Sequence, residues 1–361
     1  MAAYAVQINQ RRSDYIKKFL SLLLTLCLAF SAIACSAAEG TREFTDSCGR
    51  AVVLPETIRK VAVSGPMAQY VVFAIAPEMM VGVSSDWPEA AQDLLDPAYL
   101  NLPDVGQLYG TKGELNPEQV LLLSPDVVID VGEAKSTIVE DLDQLTEQLG
   151  IPFVHIEATV PTMPEAFEKL GELLGKEDAA REIGDFYAAA YAKASAAAEK
   201  AAKVAALYAL GEEGLNVIAK GSYHAGVMDM MTENQAVVES PSSKGTGNEV
   251  DMEQLMLWDP EVIVFASGSV YDTVGENAVW QNLRAISSGK YVEAPYHIQN
   301  WMGNPPSCQC VMGMLWLGKL LYPEYAEYDL YQEISEYYRL FYHAELTEEM
   351  FNAITADSFF R

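Results

Sequence analysis

The chain has 361 residues, of which 50% are hydrophobic and 20% are charged. Its 51 acidic residues outnumber its 23 basic ones, so the formal net charge at pH 7 is −28. A chain this acidic is repelled by phosphate backbones, and we therefore exclude nucleic acid as a partner. The hydrophobic share excludes a disordered chain, and the length predicts more than one domain.

The first 34 residues predict a leader that is not part of the fold. A basic stretch from Arg11 to Lys18 precedes an apolar run at residues 19–33, which is short for a membrane span. Small residues then precede Cys35, as in a lipobox, which predicts that Cys35 is acylated and becomes the mature N-terminus. An ordinary signal peptide cut near Ala34 and an uncleaved anchor are the alternatives. We expect an exported, extracytoplasmic protein that is anchored to the cell membrane by lipid.

Strands alternate with helices through the first half of the chain. Residues 44–55 predict a hairpin, and a strand at residues 60–64 runs through Gly65 into a helix at residues 67–75. Further strands are predicted at residues 80–84, 125–130 and 151–156. This alternation predicts a mostly parallel sheet with helices on both faces.

One motif occurs twice, 135 positions apart, at residues 115–129 and 250–264. Each copy begins with a good helix N-cap, Asn116 or Asp251, and continues as a short amphipathic helix. A turn then stops the helix before an apolar, β-branched strand. Two copies predict two similar α/β lobes with a ligand held between them.

Residues 176–203 contain no proline, are rich in Ala, Glu and Lys, and predict a long helix. An ordinary surface helix would have the same composition, but the position between the two copies favours a connecting helix. The predicted fold is therefore two doubly wound α/β lobes joined by one long helix. The predicted parts are the leader at 1–34, an N-terminal lobe at 35–175, the connecting helix at 176–203 and a C-terminal lobe at 204–361.

The second lobe is predicted to start as the first does. Residues 204–210 and 215–219 predict strands, and the order of strand, glycine and helix around Gly221 matches that around Gly65. Residues 322–361 predict terminal helices.

Three cysteines remain beyond Cys35. Cys308 and Cys310 are separated by one residue, a shorter gap than redox or zinc CxxC motifs have. Two buried thiols at the start of a helix are the favoured interpretation. A strained disulfide between these two and a pairing with Cys48 stay open.

Taken in order and spacing, these features resemble the substrate-binding proteins of iron-siderophore, haem and cobalamin ABC importers. The resemblance covers about residues 44–322. It rests on the opening hairpin, both copies of the repeat, and the segments KGSYHAGVMDMM, WQNLRA and NWMGNPPS. It implies a binding protein, not an enzyme, without an intrinsic cofactor. Its partners would be a small-molecule metal complex and a permease dimer with its ATPase.

Glu118 and Glu253 occupy the same position in the two copies of the repeat. The resemblance implies that each pairs with arginines of the permease dimer. A carboxylate in a first helical turn also stabilises the helix start, which is the alternative role. Because the same residue occupies this position in both lobes, we favour the docking role over helix stabilisation alone.

The ligand is expected near the loops that follow the lobe strands. The candidate contacts are aromatic side chains and histidines, namely Trp87, Tyr109, Tyr223, His224, His297 and Trp301, with Pro66 and Met67 beside them. Aromatic planes suit a macrocycle or catecholate rings, and a tyrosine or histidine can ligate iron. Whether any of them ligates a metal is left open, since each can instead cover a loop or bond the backbone. His155 is interpreted as a core residue and His343 as a surface residue.

Asn304 stands where many of these proteins have an arginine before the Pro-Pro pair. Its neutral amide argues against a highly anionic siderophore. The expected ligand is an iron(III) chelate, haem or a corrinoid. A receptor for a bare metal ion or an oxyanion is the alternative, although four scattered histidines suit a bare ion poorly. A metallocofactor enzyme on the same fold is a third hypothesis, without a recognised catalytic motif.

Overall fold

The computed structural model of the chain describes residues 40–109 and 114–360. The predicted leader and Cys35 lie outside the described residues. From Arg42 onward the described chain forms one compact unit. None of the helices described here combines the length and apolar character that crossing a membrane requires.

The strands, in chain order, are β1 (Thr41–Thr45), β2 (Ala51–Pro55), β3 (Val61–Val63), β4 (Val127–Gly132), β5 (Phe153–Glu157), β6 (Ala205–Leu210), β7 (Asn216–Val217), β8 (Glu233–Asn234), β9 (Asn248–Glu249), β10 (Val262–Phe265) and β11 (Tyr291–Glu293). The α-helices are α1 (Pro66–Ile75), α2 (Pro97–Leu100), α3 (Pro117–Leu123), α4 (Ile138–Leu149), α5 (Met163–Leu174), α6 (Glu177–Glu199), α7 (Gly226–Met231), α8 (Met252–Trp258), α9 (Tyr271–Val274), α10 (Arg284–Ser287), α11 (Cys310–Leu321), α12 (Leu330–Tyr337) and α13 (Glu348–Ile354).

The first lobe is built on the parallel sheet β3-β4-β5, and the predicted hairpin forms as β1 and β2. Every residue of β4 is buried, as its continuous apolar run predicts. The strand predicted at residues 80–84 is wrong, because this segment changes partners halfway. Met80 bridges to Val61, and Val83 bridges to Asp104, so no continuous ladder forms.

The second lobe is built on the sheet β11-β10-β6-β7-β9, in which β6, β10 and β11 are parallel. The order of strand, glycine and helix predicted at residues 217–224 is present, as β7, Gly221 and the helical turn Tyr223–Ala225 before α7. The strand direction differs from that in the first lobe, because β7 is antiparallel to β6 whereas β3 is parallel to β4. A tight turn closed by the Gly214 N–H on the Gly211 carbonyl, 2.9 Å away, sends the chain straight back. Both glycines have positive φ, a backbone conformation that glycine adopts without steric strain.

Two helices, α5 and the 23-residue α6, lie between the last strand of the first sheet and the first strand of the second. The longer one, α6, is the predicted connecting helix. Its buried side chains recur every three or four residues, among them Ile183, Tyr187, Ala190 and Ala194, so one face packs inward. The helix ends at Glu199, four residues short of the predicted end. The predicted domain boundaries stay a prediction.

The C-terminal helices pack against both lobes. After α12 a π-helical turn, Tyr338–Tyr342, leads to His343, whose Nε2 donates to the Phe73 carbonyl at 3.1 Å. Phe341 lies edge-on to Phe167 with ring centroids 5.8 Å apart. Residues predicted as the end of the second lobe thus also cover helices of the first.

Candidate ligand-binding cleft

Helix α1 forms the seam between the lobes through residues three apart, Met67, Tyr70 and Phe73. The Ser307 hydroxyl lies 3.4 Å from the Met67 carbonyl, and the Tyr70 hydroxyl lies 3.5 Å from the Ile298 carbonyl. Because side chains three apart share one helix face, a single face of α1 meets the second lobe.

Tyr223 reaches across this seam from the second lobe. Its hydroxyl donates to the Ala158 carbonyl at 2.7 Å and lies 3.6 Å from the Met67 sulfur. Burial raises the pKa of Tyr223, and the nearby Cys310 and carboxylates add to the rise. The tyrosine is therefore a neutral donor that holds the two lobes together at this point.

Gly132, at the end of β4, allows this close approach. A Cβ atom there would lie 2.4 Å from the Met67 Cε and 3.5 Å from the Tyr223 hydroxyl, and the glycine has φ +141°. A side chain would therefore be both crowded and strained at this position.

His224, the next residue along the chain, has a buried ring nitrogen that the fold leaves without a hydrogen bond. Its Nδ1 is buried without a hydrogen-bond partner. Burial lowers the pKa of His224; the Lys135 charge lowers it too, while the carbonyls of Gly303 and Ser243 oppose the shift. The imidazole is therefore neutral at pH 7 and can act as an acceptor or a metal ligand.

Asn304 lies near His224 on the second-lobe side. Its amide nitrogen donates to the Gly245 carbonyl at 3.0 Å. Gly245 also lies against His224, since a Cβ on it would be 3.2 Å from the His224 Cε1. The neutral amide is thus placed beside the neutral imidazole.

The first-lobe side carries carboxylates at the carboxyl ends of its strands. Asp130 is buried, accepts a bond from the Ser64 hydroxyl, and lies 2.7 Å from Nδ1 of His155. Glu133 is exposed and pairs with Lys135 at 2.8 Å. Glu157 is exposed and lies opposite Gly132 in the sheet register. His155 is buried, as predicted, although its Nε2 has no partner.

A cavity of about 170 Å³ lies at this seam. It is lined from both lobes, by Thr159, Val160, Pro161, Met163, Tyr223, Gly226, Pro306 and Ser307. A larger cavity of about 530 Å³ on the second lobe is wide open, and its lysine, Lys319, already donates to the Ala326 carbonyl at 2.6 Å. We place the site at the smaller cavity because residues of both lobes line it, Tyr223 and Ser307 among them. His224 does not line this cavity but follows Tyr223 in the chain.

The remaining predicted contacts are engaged in bonds of their own. The Trp87 Nε1 donates to the Tyr99 carbonyl at 3.0 Å, and the Tyr109 hydroxyl donates to Asp141 at 2.6 Å. The His297 Nδ1 lies 3.0 Å from the Tyr338 hydroxyl. Trp301 is fully buried, and its Nε1 has no partner. The structure brings Tyr223 and His224 together at the seam, and ligand contact by all six predicted residues stays a prediction.

The two neighbouring cysteines are buried free thiols at the start of α11, as favoured. Burial raises the pKa of Cys308 to about 11 and that of Cys310 to about 12. Both thiols therefore stay protonated and inert at neutral pH. Cys48 is also a free thiol, and it is partly exposed.

Sequence reasoning missed Ser307, Lys135 and Asp130 as groups around the site. A signal for two of them existed, because Asp130 and Lys135 lie at or just beyond the end of a predicted strand, where clefts form in open sheets. Ser307 had no such signal, since only the fold brings it to Met67.

A profile of the periplasmic binding protein family matches residues 74–296. The chain belongs to this family. It is 26% identical to the molybdate-binding protein MolA of Haemophilus influenzae over 91% of this chain and 96% of that protein. It is 24% identical to the Fe(3+)-citrate-binding protein YfmC of Bacillus subtilis over 78% of this chain and 90% of that one.

Among solved structures, an ABC transporter solute-binding protein from Sulfurospirillum deleyianum superposes with a TM-score of 0.78. It shares 25% identity, and the match covers 87% of this chain and 99% of that one. The predicted family and the predicted fold of two α/β lobes are confirmed. The protein is an extracytoplasmic substrate-binding component of an ABC transporter, and its relatives are transport binding proteins rather than enzymes.

Proposed function

We propose that the protein captures a compact iron(III) chelate at the seam between its lobes and delivers it to the permease of an ABC importer. The observation that carries this proposal is the neutral His224 imidazole, whose buried Nδ1 has no partner. In residues 40–109 and 114–360, no group of three His, Cys, Asp or Glu side chains could hold a metal ion. A single imidazole is sufficient for a metal ion that is already bound by a chelator and has one coordination position open.

Charge and volume narrow the class of chelate. Asp130, Glu133 and Glu157 lie on the first-lobe side, and Asn304 on the other side is neutral. These groups disfavour a highly anionic complex. The cavity of about 170 Å³ is smaller than most small-molecule sites, which span roughly 300–1,000 Å³, and favours a compact hydroxycarboxylate chelate over haem or a corrinoid. The Fe(3+)-citrate-binding relative supports this class.

Molybdate is the second candidate. The relative at 26% identity is a molybdate-binding protein, and a tetrahedral oxyanion suits a small cavity. Lys135, Tyr223 and Ser307 would supply donors from both lobes. The carboxylates on the first-lobe side oppose a dianion as they oppose any anionic chelate, so charge does not separate the two candidates. We rank molybdate second because the unbonded His224 Nδ1 suits a metal with an open ligand position better than an oxyanion.

Calorimetric titration of the purified protein with ferric citrate and with sodium molybdate separates the two candidates. We expect ferric citrate to bind, and His224→Ala to weaken it by about 1–3 kcal/mol, the range for a lost bond to a charged or buried group. His343→Ala is the matched control, since His343 bonds the Phe73 carbonyl outside the cavity. Binding of molybdate without ferric citrate would replace the first candidate with the second.

Delivery requires docking and an anchor. We place docking at Glu118 and Glu253, which are exposed at the same position of the two repeat copies.

We place the lipid anchor at Cys35, which would be acylated after removal of the leader. Cys35→Ser should release the protein from membranes, and a variant that stays membrane-bound would refute the lipid anchor.

A further inference from the structure

We propose that docking on the permease also uses an apolar contact, made by Leu122 in the first lobe and by Leu257 in the second. This inference rests on the proposed function and extends it from the two glutamates to a mixed surface on each lobe. We call α3 (Pro117–Leu123) and α8 (Met252–Trp258) the repeat helices.

The repeat helices are alike in structure as well as in sequence. The Asn116 side chain accepts from the Gln119 N–H at 3.1 Å, and the Asp251 side chain accepts from the Gln254 N–H at 2.8 Å. Each helix is seven residues long. Each of the eight residues from 116 to 123 is exposed, half-buried or buried in the same way as its equivalent in residues 251–258.

Both repeat helices also end in the same way. The residue after each helix, Ser124 or Asp259, has positive φ, at 47° and 37°. In the described residues only one other non-glycine residue, His343, has positive φ. Such a backbone is costly for a residue other than glycine, and strain of this kind concentrates at functional positions.

The exposed residues at equivalent positions are large and apolar. Leu122 is 76% exposed and Leu257 is 78% exposed, the highest values among the exposed large hydrophobic residues described. Beside them Leu121 and Met256 are 47% and 38% exposed. A single exposed leucine is ordinary, but the same exposure at the same position of both repeats calls for a shared cause.

Each leucine lies four residues after a glutamate, Leu122 after Glu118 and Leu257 after Glu253. Residues four apart are neighbours on a helix surface. Each repeat helix therefore presents a carboxylate and an apolar side chain on one face.

None of the residues that line the cavity belongs to a repeat helix. Each helix leads through a short turn to the amino end of a central strand, where the Asp126 N–H donates to the Lys60 carbonyl and the Glu261 N–H to the Ala205 carbonyl, both at 2.8 Å. The cavity-side residues Asp130 and Gly132 lie towards the other end of β4. A partner that docks on the repeat helices therefore does not have to displace the residues that line the cavity.

The partner that fits is a dimer of two like subunits. A feature repeated once in each lobe can be matched by two equivalent surfaces, which a two-fold dimer provides. Family membership implies a permease with its ATPase as the partner. The resemblance drawn from the sequence implies that this permease is a dimer. On each of its subunits we expect an apolar depression next to basic side chains, which would receive the leucine and the glutamate.

The test measures docking of unliganded full-length protein on the importer's permease–ATPase complex in nanodiscs, at 0.15 M and 1 M NaCl. The double variant Leu122→Gln, Leu257→Gln keeps helix propensity and side-chain size. We expect it to dock at least about tenfold more weakly at both salt concentrations, as for interface hot spots. The double variant Glu118→Gln, Glu253→Gln should lose affinity mainly at 0.15 M, because salt screens charge pairs.

The control is Val53→Gln with Val237→Gln, one exposed valine from each lobe, each 62% exposed. It should dock within about twofold of the wild type, since isolated surface changes are nearly neutral. Wild-type docking by the leucine variant, or a loss only in self-association by light scattering, would overturn the inference. Because docking is scored without ligand, failure to bind ferric citrate would count against the proposed ligand alone.

Discussion

The Tyr223 hydroxyl donates to the Ala158 carbonyl at 2.7 Å, and this bond joins the second lobe to the end of β5 in the first. The donor belongs to the residue before His224, so the lobe contact and the candidate metal ligand are parts of one short segment. Ligand capture and lobe contact are therefore expected to depend on each other.

Tyr223→Phe should weaken ferric citrate binding and lower the free energy of unfolding by about 1 kcal/mol, the usual net value of a hydrogen bond. Tyr331→Phe is the control, because the Tyr331 hydroxyl donates to the Leu346 carbonyl at 3.1 Å within the C-terminal helices. It should lose similar stability in urea titrations and bind ligand normally. If Tyr223→Phe and Tyr331→Phe bind the ligand with equal affinity, the contact between the lobes does not contribute to ligand capture.

Acid should weaken ligand binding through His224. The pKa of this imidazole lies below its ordinary value of 6.5, so the neutral form that can ligate metal persists above pH 6.5 and is lost as the pH falls through the lowered pKa. Affinity measured by calorimetry should be level above pH 6.5 and fall at lower pH. His224→Asn should flatten this profile, and an unchanged profile would remove His224 from the ligand shell.

Stability should show a related but broader pH dependence. Burial lowers the pKa of both His224 and His297, so below pH 6.5 the unfolded chain binds more protons and the folded state loses stability. His297→Asn should reduce this loss in urea titrations without altering the pH profile of ligand affinity. If it alters that profile, His297 belongs to the binding site as the sequence predicts.

Gly132→Ala should damage the seam by two mechanisms. The new Cβ would lie 2.4 Å from the Met67 Cε, and φ +141° is unfavourable for alanine. Gly150→Ala is the control, because Gly150 has φ +64° with open space around it and tests backbone strain alone. Both should lower the melting temperature, but only Gly132→Ala should also weaken ferric citrate binding. Normal binding by that variant would place the site elsewhere.

Charge reversal tests docking through the glutamates. Glu118→Lys and Glu253→Lys should each reduce uptake in reconstituted vesicles, and the double variant should lose more, because like charges would face the permease arginines. Ligand affinity should stay at the wild-type value, since both residues are exposed on the repeat helices. Normal uptake by the double variant would reduce both glutamates to helix stabilisation.

Local chemistry made much of the fold predictable. The N-caps Asn116 and Asp251, the turns after the repeat helices and the buried run of β4 follow from residues adjacent in sequence. The segment at residues 80–84 and the direction of β7 could not be predicted in this way. Both depend on which strand lies alongside, and sequence periodicity carries no information about the partner.

The site was predictable only in part. Tyr223 and His224 were selected because they follow a strand and a glycine, and the fold does bring them to the seam. Trp87 and Trp301 are predicted as aromatic side chains near the loops that follow the lobe strands, and the structure buries both to below 5% exposure. Residue type indicates what a side chain can bind, whereas tertiary packing decides whether it is accessible.

The central claim is that the His224 imidazole completes the coordination of a metal complex. Nitrogen NMR of protein with isotope-labelled histidine, with gallium(III) citrate as a diamagnetic substitute for the iron complex, tests it directly, since only four histidines are present. We predict a large shift of the His224 Nδ1 resonance upon binding, and the shifted signal should be missing in His224→Ala. If the complex binds while every histidine resonance stays in place, the claim is contradicted.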